Sequence, residues 1–414
     1  MPMISPDEAW RRIEAQLAPL PEVEVPRRQA TGRVLARPLA ARVDVPGADV
    51  SAMDGYALAG LAGNIRPVAA TIVAGDPPGF ALPPGAAVRI MTGAPVPAAA
   101  DRVVPVELTE RGGGREVVTF LPAAEAGRAG DHIRRRGEVL RTGDPLLPAL
   151  TRLTPGALAL LATHGYAEVP IHRIPEVAVL ATGDEVVPPE TEPAPGQLRD
   201  SHTDFLLAAG ASLGLGFTPL GIAPDRTPEL AALVRRGLEA DVLLLCGGVS
   251  AGEFDLVEGV LADLGCRVLF DAVAIQPGKP LVFAVREADA SRAAGRRTLV
   301  FGLPGNPASV MVSFWLFVRP ALRRLCGLPD GFWHGALRGT LAAPLPGAGP
   351  RDRFLPAEAA TRAGEVIVTP FPPKGSHDLA AFARGTALVR VRAGAAPASA
   401  GERCEILPLV PGLE

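Results

Sequence analysis

Apolar residues fill every position of Val242-Leu243-Leu244-Leu245-Cys246, the pattern of a strand buried on both faces of a parallel sheet. Further strands are read at 177–181, 218–222 and 298–301, and they alternate with helices at 203–213, 228–239 and 256–264 and a long apolar helix at 308–325. Strands alternating with helices predict a doubly wound α/β domain over 175–326. Thr227 and Asn306 are placed as N-caps, each followed by proline at the first helical position (Pro228, Pro307). On both sides the period shortens. β-rich runs at 68–73, 86–91, 102–106 and 116–120 predict a small β domain, and those at 335–342, 365–370, 387–392 and 404–408 predict a second. Trp10, Ile13 and Leu17 recur at helical spacing in 6–18, and 154–164 also reads as a helix. If those two segments pack together, the first β domain is an insertion. The expected organisation is therefore a discontinuous helical linker domain (1–42 with 140–174), an inserted β domain (43–139), the α/β domain (175–326) and a C-terminal β domain (327–414).

Composition narrows the function classes. A net charge of -3 over 414 residues provides no basic field, which argues against nucleic acid and anionic membranes as partners. The first twenty residues are broken by charges and proline, so no signal segment is expected. The longest nearly uninterrupted apolar run, 308–318, is too short to span a bilayer. Four scattered cysteines form no C-x-x-C pair, and a reducing cytoplasm is the expected location. Of the 41 basic residues only Lys279 and Lys374 are lysine. Lys279 lies in Gln276-Pro277-Gly278-Lys279-Pro280, where two stiffening prolines suggest that a compact ammonium is needed.

The predicted parallel strands end in three loops: Thr182-Gly183-Asp184-Glu185, the run Gly247 to Asp255, and Gly302-Leu303-Pro304-Gly305-Asn306-Pro307. Ligands of open α/β sheets bind in the crevice at those ends. Adjacent carboxylates, glycine-rich amides and a helix start suit a phosphate held beside a divalent cation, since Mg²⁺ prefers oxygen ligands. Asp200 and Asp225 stand near the ends of adjoining elements. Each acid alone reads more readily as a helix cap or turn residue, whereas together, on one sheet edge with Lys279 and two glycine loops, a shared site is the better explanation. Gly248-Val249-Ser250-Ala251-Gly252 also matches the G-x-S-x-G nucleophile elbow, with Asp271 and His334 or His377 completing a permitted triad order. A hydrolase, however, needs neither the clustered acids nor Lys279, and the chain has no H-G-G-G oxyanion motif.

These signatures follow one another in a recognisable order. Ser51-Ala52-Met53-Asp54-Gly55-Tyr56-Ala57, Ile90-Met91-Thr92-Gly93-Ala94-Pro95, Ala100-Asp101-Arg102-Val103-Val104 and Ile133-Arg134-Arg135-Arg136-Gly137-Glu138 precede the TGDE, GGVSAGEFD, PGKP and GLPGNP runs. Over essentially its full length the chain resembles the molybdopterin molybdenumtransferases, bacterial relatives of the gephyrin E-domain. The resemblance implies an elongated homodimer with active sites between subunits. It implies insertion of molybdate into adenylylated molybdopterin with release of AMP, aided by Mg²⁺, and exchange with a molybdopterin adenylyltransferase and molybdoenzymes. By the same resemblance Asp54 and Thr92 face the partner's α/β cleft, while Glu185, Asp225 and Asp255 serve metal and pterin. Lys279 serves the oxyanion, and Arg351 and Ser376 the molybdate pocket. Arg134, Gly183, Asp184, Asp200, Ser201, Gly247, Gly248, Ser250, Gly252, Pro280, Pro304, Gly305, Asn306 and Pro307 line the ligand. A catalytically silent molybdopterin carrier or scaffold is the alternative, because the chain departs from the family pattern. Val139 replaces an acid, Gln276 stands where some members have a second lysine, His202 follows Asp200-Ser201 where Asn is usual, and Arg353 sits where an acid is common.

Overall fold

A computed structural model describes residues 2–60, 63–111, 116–247, 254–287 and 296–410. It divides into two compact units, one made of Met1–Glu24, Gly32–Ala36 and Pro170–Glu414, the other of Val25–Thr31 and Arg37–Val169.

The larger unit is built on a six-stranded sheet in the order Phe217–Ala223, Val177–Thr182, Val242–Cys246, Thr298–Leu303, Pro280–Arg286, Cys266–Ala272. The first four strands pair in parallel, and Pro280–Arg286 and then Cys266–Ala272 are added to them by antiparallel pairing. The doubly wound expectation therefore holds with an antiparallel edge, a common variation of such sheets. Strand alternation explains the apolar run of Val242–Cys246. Val242, Leu244 and Cys246 enter a core shared with Trp10, Phe301 and Phe314, whereas Leu243 and Leu245 enter a second core with Leu230, Val234 and Val260. Helices cover both faces, so every position is apolar and fully buried.

Two helix expectations need correction. The helix placed at 228–239 begins one residue earlier, as Thr227–Gly237, and Arg226 occupies the cap position without a side-chain bond. Thr227 is thus the first helical residue. The apolar helix placed at 308–325 is not uniform: Pro307–Ser313 and Arg319–Leu325 are α-helical, and Phe314–Val318 between them is a π-turn in which Arg319 N–H donates to Phe314 O. Pro320 supplies the reason. Its ring crowds the carbonyl four residues back and it has no N–H to donate, so one wider turn admits it without ending the helix.

The C-terminal strands form a sheet that closes on itself. Asp352–Arg362, Glu365–Pro370, Leu337–Leu341, Arg403–Pro408 and Ala387–Val391 pair in that order, and the last pairs back with the first. A short strand, Ile275–Gln276, joins this ring by parallel pairing with Asp352 and Arg353. The smaller unit carries a six-stranded sheet in the order Arg102–Pro105, Gly55–Leu58, Ala87–Ile90, Ile65–Ile72, Val117–Phe120, Thr109–Arg111. Thr154 caps the helix Pro155–Thr163 there, its hydroxyl accepting from Ala157 N–H. In the larger unit Ser5 caps Pro6–Glu14, which buries Ala9, Trp10 and Ile13. Among the described residues no helix is long and apolar enough to cross a membrane.

Candidate active site

Parallel pairing aligns Ala181 with Cys246 and Cys246 with Leu303, so the three loops leave the same edge of the sheet. Their starting points are close together there, Gly247 N–H donating to Leu303 O at 3.4 Å. Gly247 has φ +97°, and a Cβ at that position would stand 2.5 Å from the Thr182 carbonyl oxygen, which only glycine avoids. Gly183 has φ +134° and carries the Glu185 carboxylate directly above it; a Cβ there would lie 2.7 Å from Glu185 Oε2. Asp184 N–H donates to Asp225 Oδ2 at 3.4 Å, and Asp225 N–H donates to Asp184 Oδ1 at 3.2 Å. Two acids distant in sequence are thereby brought side by side, both exposed. Asp184 borders a cavity of about 550 Å³ with Gly183, Asp200, Thr203 and Pro224, the residue before Asp225.

Asp200 is already occupied. Its carboxylate accepts from His202 N–H (3.0 Å), Thr203 N–H (3.1 Å) and the Thr203 hydroxyl (2.6 Å), capping the helix His202–Ser212. Ser201 holds the formal cap position with no side-chain bond. Burial keeps the His202 imidazole below its ordinary pKa against the opposing pull of the Asp200 charge. Gly248, Ser250 and Gly252 lie outside the described residues, and Asp255 is the second residue of the helix Phe254–Asp263. Among the described residues no three His, Cys, Asp or Glu side chains stand close enough to complete a metal site by themselves.

A second cavity, of about 260 Å³, lies where the Ile275–Gln276 strand meets the C-terminal ring. Gln276, Lys279, Arg351, Arg353, Asn306, Ser309 and Ser376 supply its polar lining, and among the described residues no carboxylate lines it. The loop at 305–307 is tied to this wall, since Ala308 N–H donates to Ser376 O at 3.2 Å. Gly278, with φ +105°, packs so tightly that a Cβ would stand 3.0 Å from Ile275 Cδ1, which fixes the turn carrying Lys279. Asp352 lies between the two arginines but turns inward, where Arg390 donates to Oδ2 from Nε (2.8 Å) and Nη2 (2.6 Å) and Ala393 N–H donates to Oδ1 (2.9 Å). Arg351, just before the strand Asp352–Arg362, and Arg353 within it both line the cavity, on the opposite side from Asp352. Among the described residues each is held by one long bond, to Ile275 O and Gly347 O respectively, both 3.4 Å. The cavity thus unites Lys279, Pro280, Asn306, Arg351 and Ser376 from the expected site, with Pro304, Gly305 and Pro307 in the adjoining loop. Ser309 was not foreseen. It is buried in an apolar helix, and nothing in its sequence neighbourhood marks it.

In the smaller unit the SAMDGYA and MTGAP runs meet. Asp54 Oδ1 accepts from Thr92 N–H (2.7 Å) and from the Thr92 hydroxyl (2.8 Å), and these bonds hold its carboxyl below the usual range. Gly93 N–H donates to Ser51 O at 2.8 Å. Arg135 and Arg136 are engaged by Asp49 and Asp44, whereas Arg134 extends from the strand Ile133–Arg134 with no ion-pair partner among the described residues.

Comparison with known families accounts for nearly the whole chain. Residues 4–165 match the MoeA N-terminal region (domain I and II), 178–324 a probable molybdopterin binding domain and 338–409 the MoeA C-terminal region (domain IV). A molybdopterin molybdenumtransferase 2 of Mycobacterium tuberculosis (strain ATCC 25618 / H37Rv) is 34% identical over 98% of this chain and 100% of the relative. The chain belongs to the molybdopterin molybdenumtransferase family. Another molybdopterin molybdenumtransferase, from Staphylococcus aureus (strain N315), is 32% identical over 97% of this chain and 94% of its own length. Among solved structures, a molybdopterin biosynthesis MoeA protein from Pyrococcus horikoshii superposes with a TM-score of 0.82 at 29% identity, covering 99% of this chain and 100% of that one. Membership in the molybdopterin molybdenumtransferase family accords with three regions in the expected order and with the central α/β fold.

Proposed function

We propose that the protein inserts molybdate into adenylylated molybdopterin, cleaving the phosphoanhydride and releasing AMP. The cavity of Lys279, Arg351 and Arg353 carries this reading. It is positively charged, free of carboxylates, sized for a small oxyanion and joined through Asn306 to the ligand crevice of the sheet. In this reading Lys279, Arg351, Ser376 and Asn306 bind the molybdate oxygens, with a planar guanidinium fork and hydroxyls suited to a tetrahedral dianion. Gly183, Asp184, Gly247, Gly248, Ser250, Gly252, Pro304, Gly305 and Pro307 bind the pterin and its phosphates. Ser250 donates a hydrogen bond rather than acting as a nucleophile.

Mg²⁺ fits the donors present. The exposed Asp184–Asp225 pair and the neighbouring Glu185 offer oxygen ligands without completing a site, which suits an ion that keeps waters and binds through one or two carboxylates plus substrate phosphate. Glu185, Asp225 and Asp255 would hold it, and the bound ion would neutralise charge on the phosphoanhydride. The protein's own task is then positioning: the cavity orients the oxyanion and the loops orient the phosphate, the main resources of phosphoryl chemistry. We further propose a cytoplasmic homodimer in which Asp54, Thr92 and Arg134 of one subunit complete the site of the other, and delivery of the product to molybdoenzymes.

The test is to incubate the purified full-length protein with adenylylated molybdopterin and Mg²⁺, with and without molybdate, and to measure AMP. AMP that appears only with molybdate supports the proposal. Tight pterin binding without AMP would favour a silent carrier, and covalent labelling of Ser250 by a phosphonate probe would restore the hydrolase.

A further inference from the structure

We infer that the Lys279–Arg351–Arg353 cavity accepts only fully deprotonated tetrahedral oxyanions and rejects phosphate, with Arg353 as a residue that sets this selectivity. The inference rests on the proposed reading of the cavity as an oxyanion site and adds which oxyanions it takes.

All the charged side chains lining the cavity can only donate, and its acceptors are the neutral oxygens of Gln276, Asn306, Ser309 and Ser376. Lysine and arginine side chains carry no acceptor, and three of them face this space. Acids that might have supplied an acceptor are committed elsewhere. Asp352 is taken by Arg390 and Ala393 N–H. Asp378 accepts from Lys374 N–H (3.0 Å) and Ala381 N–H (3.1 Å), which also holds its carboxyl below the ordinary range. Near neutral pH every phosphate species carries at least one proton, and that hydroxyl needs an acceptor. Molybdate, tungstate and sulfate carry none and present only acceptor oxygens. A phosphate hydroxyl turned toward a guanidinium or ammonium leaves donor against donor, an unmatched arrangement in a desolvated site. The amide and hydroxyl oxygens of Gln276, Asn306, Ser309 and Ser376 are weaker acceptors than a carboxylate.

Arg353 is the residue where this choice is made. Parallel register sets it opposite Gln276, at the junction of the two cavity walls, and a single 3.4 Å bond to Gly347 O leaves its remaining donors for the cavity. A carboxylate at the same place would accept a phosphate proton.

The experiment is titration calorimetry of the full-length protein near neutral pH with sodium molybdate, tungstate, sulfate and phosphate, each alone and in competition with molybdate. The three deprotonated anions are expected to share one site and phosphate to bind at least about tenfold more weakly than sulfate. In Arg353→Glu that ratio should shrink or reverse, whereas Arg353→Gln should weaken all four anions and keep their order. Equal affinity of the wild type for sulfate and phosphate, or no binding of either, contradicts the inference. If phosphate and sulfate bind alike while AMP release stays molybdate-dependent, the selectivity claim fails and the site reading survives. If Lys279→Met leaves binding of all four anions intact, the site reading itself fails.

Discussion

Asp352 and Arg390 form a buried ion pair, with Nε and Nη2 of the arginine both donating to one carboxylate oxygen at 2.8 and 2.6 Å. Arg390 also lies over the rings of Phe332 (4.9 Å) and Trp333 (5.9 Å). The pair anchors the start of the strand Asp352–Arg362, which carries Arg353 and directly follows Arg351, so it acts on the cavity by positioning.

Asp352→Asn should destabilise the protein by about 3–5 kcal/mol, because it leaves Arg390 buried without its counter-charge. The double variant Asp352→Leu/Arg390→Met should recover much of that loss, since apolar replacements of a buried pair are often tolerated. Thermal unfolding midpoints of wild type, single and double variants check this. A single variant as stable as wild type would show that the pair carries no such weight.

Gly247→Ala should fail where an ordinary loop substitution succeeds. The new Cβ would meet the Thr182 carbonyl at 2.5 Å in a backbone conformation with φ +97°. We expect a loss of about 1–3 kcal/mol together with weakened binding of adenylylated molybdopterin. Calorimetric melting and a binding titration measure the two effects, and an unaffected protein would mean that the loops are not packed as described.

The contrast between these two sites indicates what the sequence makes legible. Val242–Cys246 announces itself because both faces are buried and the run is wholly apolar. Cys266–Ala272 and Pro280–Arg286 escape notice: Arg267 and Asp271 break the first pattern, and the second follows directly on the loop carrying Lys279. Asp352–Arg362 is similarly hidden by its charges and Pro356, although it is the longest strand of the closed ring. Lys279 stands out by its rarity and its flanking prolines. The juxtaposition of Arg353 with Gln276 could not be read, because a pairing between segments far apart in sequence creates it.

Asp54 should titrate below a free aspartate, since Thr92 N–H and then the Thr92 hydroxyl stabilise its charged form. A depressed folded-state pKa contributes stability above the unfolded value, and this contribution is lost as pH falls through the depressed value. Thr92→Val removes only the hydroxyl bond, so the Asp54 pKa should rise part of the way toward the ordinary range. An NMR titration of the Asp54 side-chain carboxyl resolves the change. An identical titration in both proteins would contradict the assigned contact.

Lys279→Arg should be more damaging than the abundance of arginine in this chain suggests. A rotatable ammonium reaches past Pro277 and Pro280, whereas a planar fork beside Arg351 and Arg353 needs more width. AMP release measured against molybdate concentration should show poor turnover at low molybdate and partial recovery at high. Superimposable curves would make Lys279 a surface residue of no consequence.

The division of labour between cavity and crevice is tested most directly by measuring two affinities in the same proteins, that of molybdate and that of adenylylated molybdopterin. In Arg351→Met the molybdate affinity should fall at least about tenfold, the scale of a lost charge-assisted bond, while pterin affinity stays within about twofold of wild type. In Asp225→Ala, with Mg²⁺ present, the pterin affinity should fall and the molybdate affinity should hold. A reversed pattern, or equal loss of both ligands in both variants, would contradict the account.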